Sequence, residues 1–156
     1  MDALKEFADK YVEAEKLWRG ADHLVYVTYP VVKDEKLLLK ALEGVHRAAV
    51  IGISLALKIG YVHRRILSLG DPEKNLDMFF RKCVVFDDAD EKTLRELLML
   101  GKKHKESGFE FSRKGKAVIM DDDLGMKVLG VDQLKSFLRV CKVLLDSTNN
   151  ALRGNF

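Results

Sequence analysis

A chain of 156 residues with 47% hydrophobic and 33% charged side chains is long enough for one domain with a real core, and too apolar to be disordered. Its 27 Lys and Arg against 24 Asp and Glu leave a net charge of +3, too small to name a nucleic-acid partner by itself. Eleven glycines and two prolines exclude collagen-like and low-complexity chains.

In chain order, Leu4, Phe7, Tyr11, Ala14, Trp18, Ala21, Val25 and Thr28 recur at alternating steps of three and four. That heptad seam predicts one helix running through Gly20 and ending before Pro30. A strand over 24–29 is the competing reading, because Val, Tyr and Thr favour strands. A second helix is expected from Asp34, as N-cap, to about Leu67. Between 48 and 57 it is apolar on every side, which means burial all round or a subunit contact. Along it Gly44, Ala48, Gly52, Ala56 and Gly60 stand four apart, so one face lacks bulk and a partner backbone can approach. This row is expected to be a helix-packing seam, with Ala14 and Ala21 of the first helix as partners within the chain, in a protein that forms a homodimer.

Asp71-Pro72 marks the start of a third helix. Asp88 and Glu91 are spaced for a capping box on a further helical piece that ends at Gly108. From 109 to 130 the helical signal fails, and the segment reads as a short hairpin around Lys114-Gly115 or as an irregular loop. The last helix starts near Asp132 and stops at Gly154. The expected fold is all-α: a single domain over 1–156, an up-and-down four-helix bundle with its third helical unit split and an irregular arm or short hairpin before the last helix.

Cys83 and Cys141 stand in apolar stretches without Cys-x-x-Cys or Cys/His spacing, which predicts reduced core thiols in a cytoplasmic protein; one disulfide is the rival. The first seven residues mix charge with apolar side chains and do not read as a signal peptide. The longest uncharged run, 48–57, falls short of the roughly 20 residues that span a bilayer, so no membrane association is expected. Few Asn, one Gln and abundant Lys and Glu lean towards a thermophile composition.

Catalytic signatures are missing: the chain has no Gly-x-Ser-x-Gly, His-Glu-x-x-His, Gly-x-Gly-x-x-Gly or Walker loop. Among His23, His46, His63 and His104, the one Glu-x-x-His is Glu43 with His46. A di-metal bundle needs a second such pair, so neither metal nor cofactor is expected. Asp87-Asp88 and Asp121-Asp122-Asp123 read as helix starts and solvated turns rather than a cation site. Basic residues gather in three places, giving Arg64, Arg65, Lys102, Lys103, Lys105, Arg113, Lys114 and Lys116 as candidate contacts to phosphate. Such clusters also complement helix C-termini, and the two readings stand side by side. Phe109 and Phe111, between two clusters, suit either core packing or stacking on bases.

The stretch from Gly44-Val45-His46-Arg47-Ala48-Ala49-Val50 through Leu57, with His104-Lys105-Glu106-Ser107-Gly108 before the loop, resembles the HEPN superfamily. The resemblance implies an all-α, commonly dimeric domain that binds RNA or nucleotide and often partners a nucleotidyltransferase. The ribonuclease members carry an Arg followed by a His after four to six intervening residues. Here Arg19 and His23 have three residues between them, and Arg95 and His104 have eight. No catalytic residue carries over, and a non-catalytic homodimeric interaction or binding module is expected, engaging RNA or nucleotide through the basic clusters. The alternative is a HEPN-like ribonuclease with a rearranged active site.

Overall fold

A computed structural model of the chain describes residues 3–64, 66, 70–84, 86–121, 123 and 125–154. The candidate contact Arg65, the expected end of the second helix at Leu67, and Asp122 lie outside the described residues.

The heptad seam makes a helix, and the strand reading of 24–29 is overturned. Helix α1 (Ala3–His23) buries Phe7, Ala14 and Ala21 along that seam. It does not stop before Pro30. A π turn (Leu24–Thr28) follows directly, then a short α2 (Tyr29–Val32). The π turn breaks the regular ladder just before Pro30, so the proline's missing N–H falls where a bond is already interrupted. Lys33, with φ 54°, ends the run in the left-handed region.

Helix α3 (Lys36–Val62) is the axis of the fold and packs against α1 and the three later helices, α4 (Pro72–Lys82), α5 (Asp88–Glu106) and α6 (Val131–Leu152). By length and composition it is the one described helix apolar enough to cross a bilayer. Its expected seam is not a single contact. A Cβ on Gly44 would meet Ala21 and the Leu17 carbonyl of α1, one on Gly52 would meet Leu144 and Leu145 of α6, and one on Gly60 would meet Ile66. Ala48 and Ala56 are buried between them. Four residues turn about 400°, so a row spaced by four drifts about 40° per step and visits successive neighbours. The glycines thus admit partners from this same chain.

Side-chain caps set the later helices. Asp71 accepts from the Lys74 N–H at 2.9 Å, with Pro72 in the first turn of α4. Asp87, one residue before the expected position, caps α5 by accepting from the Asp90 N–H at 2.8 Å. Helix α6 is pinned to α1 where Trp18 Nε1 donates to the Leu138 carbonyl at 2.8 Å, and Gly154, with φ 83°, follows its end.

The pure four-helix bundle is overturned between α5 and α6. Three strands, β1 (Glu110–Arg113), β2 (Lys116–Met120) and β3 (Met126–Gly130), form an antiparallel sheet in the order β1-β2-β3. The β1–β2 turn lies at Lys114-Gly115, with Gly115 at φ 73°. The acidic run makes the second turn: Asp121 Oδ1 accepts from the Gly125 N–H at 2.8 Å and the Asp123 N–H at 3.2 Å. Ala117, Ile119 and Leu129 face the helices and are fully buried. With residues 3–32 taken as one unit, the described residues form five helices and this sheet.

Candidate functional site

The basic clusters do not converge into one groove. The Gly115 N–H donates to Glu35 Oε1 at 3.1 Å, which places the β1–β2 turn at the start of α3. Arg64 follows the other end of α3, and the helix's 27 residues span about 40 Å. Lys102, Lys103 and Lys105 lie in the last turns of α5. Lys103 pairs with Asp121 at 3.3 Å, at the end of β2 away from Lys116. Arg113 and Lys116 are directly opposed in the β1–β2 register, with exposed Lys114 in the turn between them. Six of the eight candidates therefore frame the sheet, three by the end of β2 and three at the opposite turn.

Alternation along the strands puts Phe111, Val118 and Val128 in one row on the face away from the helices. Phe109 extends it, its ring centroid 5.7 Å from that of Phe111. Phe109 is 61% exposed, so it does not plug the core. Val118 is fully buried yet stands outside the helical core.

Under the other face sits a carboxylate–imidazole–carboxylate clamp. His104 Nε2 lies 2.8 Å from Glu43 Oε1 of α3, and Nδ1 lies 2.5 Å from Glu110 Oε2 of β1. Burial opposes the imidazolium, but hydrogen bonds to Glu110 and Glu43 outweigh it and raise the His104 pKa above the ordinary value. Glu43 thus reaches His104, 61 residues away, rather than sharing a ligand with His46. The His46 ring packs on Gly101. Burial, then Lys105 and His104, push its pKa down. With both ring nitrogens engaged, His104 has no lone pair for a metal. No group of three or more His, Cys, Asp or Glu among the described residues is placed to hold one.

The outward stripe of α3 carries Val50, Ser54 and Lys58, in single file. On one side lies a hollow of about 390 Å³ walled by Pro72, Leu76 and Leu98. On the other is one of about 200 Å³ walled by Glu6, Phe7 and Lys10. Val50 is 45% exposed between them. No disulfide joins Cys83 and Cys141, so the disulfide reading is set aside.

Comparison of the chain with family models, curated proteins and solved structures finds no significant match in any of the three.

Proposed function

We propose that the protein is a non-catalytic interaction module that pairs with a second copy of itself through the outward stripe of α3. The observation that carries the reading is that Val50, Ser54 and Lys58 form a ridge between two hollows. A two-fold contact needs one patch that is both knob and hole, and this patch is. Its charged lining among the described residues is mixed, Glu6 against Lys10 and Lys58, which suits a like surface better than a strongly charged partner. On this reading the HEPN resemblance concerns the helices alone. The ribonuclease alternative has no observation in its favour, since His104 is held by two carboxylates and no Arg/His pair has the required spacing.

Light scattering coupled to gel filtration tests it. Wild type is expected as a dimer, and Val50→Asp as a monomer with an unchanged circular dichroism spectrum. A monomeric wild type, or a Val50→Asp variant that stays dimeric, overturns the reading.

A further inference from the structure

We infer that the outer face of the sheet binds single-stranded nucleic acid, with Phe109 and Phe111 stacking on unpaired bases and Arg113, Lys114 and Lys116 holding the adjoining phosphates. This surface is separate from the α3 stripe, and the inference stands or falls independently of the pairing proposed above.

Three observations converge. Phe109 and Phe111 form an aromatic pair on a sheet face that the helices leave uncovered, and the more exposed ring has most of its surface in water. An exposed Phe has little to gain in the free protein, whereas every base offers a π-face to it. Second, Arg113 and Lys116 are directly opposite in register, two residues beyond Phe111 on one strand and before Val118 on the next. Like charges so placed destabilise a hairpin. Among the described residues, neither they nor Lys114 is in an ion pair, whereas Lys103 is neutralised by Asp121. Nearby acids are accounted for: Glu35 accepts from the Gly115 backbone, and Asp132 lines the hollow beside Lys116. A phosphate between Arg113 and Lys116 removes the repulsion. Third, the spacing suits one strand of nucleic acid. Phe109, Phe111 and Arg113 follow one another at every second residue on the same face, with Lys116 opposite Arg113, so the bases and the adjoining backbone of one nucleotide run can be met together. A duplex, whose bases are stacked and paired, presents no free base face to these rings.

Fluorescence anisotropy of the full chain with labelled oligo-uridine, oligo-thymidine and a duplex of equal length decides the matter. Single strands are expected to bind and the duplex to bind more weakly. The log–log salt slope is expected near about −2 for three phosphate contacts on a single strand. Phe109→Ala should weaken binding about 5-fold or more with the slope unchanged. Arg113→Gln with Lys116→Gln should reduce the slope by about 1.4. Phe109→Tyr, which keeps a stacking ring, should restore affinity. Because Phe109 is exposed, its replacement leaves the fold intact, which circular dichroism verifies. No binding of either single strand at low salt, equal affinity for the duplex, or Phe109→Ala binding as wild type each overturn the inference. Uridine and thymidine arms separate RNA from DNA as the ligand.

Discussion

His104 and Glu110 meet at 2.5 Å across the corner where α5 turns into β1, and Glu43 of α3 closes the same imidazole from its other side. One ring therefore ties two helices and the first strand together.

That ring makes stability depend on pH. The folded pKa of His104 lies above its ordinary value of 6.5. Its contribution is complete below that value and is lost as pH rises through the folded pKa. His46 works in the opposite sense, because its folded pKa is lowered by burial. Its contribution is present above the ordinary value and is lost as pH falls. Thermal melts across mildly acid to alkaline pH should show both limbs. His104→Gln is expected to flatten the alkaline limb and, by removing one of the charges that lower the His46 pKa, to make the acid limb shallower; an alkaline limb unchanged in that variant would refute the assignment.

Two glycine substitutions should move stability in opposite directions. A Cβ on Gly101 would lie 2.1 Å from the His46 ring, while one on Gly20 would meet nothing within 4 Å. Ala gains helix propensity at both sites, up to about 1 kcal/mol. At Gly101 the clash outweighs that gain, and Gly101→Ala should lose about 1–3 kcal/mol in urea titration. Gly20→Ala should gain. Equal shifts would mean that the α3–α5 contact is looser than described.

Gly52→Leu is expected to lower the melting temperature without changing the oligomeric state. The Cβ position already lies 3.2 Å from Leu144 and Leu145 of the same chain, so added bulk strains the core rather than a subunit boundary. Dissociation measured by light scattering would contradict this.

Cys141 should resist alkylation in the native protein. Burial pushes its thiol up to about 12, leaving almost no thiolate at neutral pH. Mass spectrometry after iodoacetamide treatment should find it modified only once the chain is unfolded.

Helices and their caps were legible because they are local. Asp71-Pro72 and the start of α6 near Asp132 follow from spacing and end chemistry within a few residues. The sheet was half legible. Lys114-Gly115 announces a turn, but β3 follows a run of aspartates that reads as solvated, and only Asp121 folding back on Gly125 makes that run a hairpin. Strand β3 is held by its register against β2, which the side-chain pattern of Met126–Gly130 taken alone does not show. The clamp was less legible still. Glu43 was visible as half of a Glu-x-x-His pair, yet its partner is His104 on another helix, and nothing in the spacing of either residue signals it. The same limit applies to the small-residue row: a regular period predicts close packing, but the drift of that period around the helix decides how many neighbours share it.

The π turn at Leu24–Thr28 has a consequence for how this chain tolerates change in length. Removing one residue there would let the segment relax to α geometry at little local cost. Five residues in a π turn sweep about the same angle as four in an α turn, so everything beyond would keep its facing. Tyr29, whose hydroxyl lies near Gly115, and Glu35, which holds the Gly115 N–H, would both stay near their places. The loss of one residue is thus absorbed at this turn, and the hairpin keeps its footing.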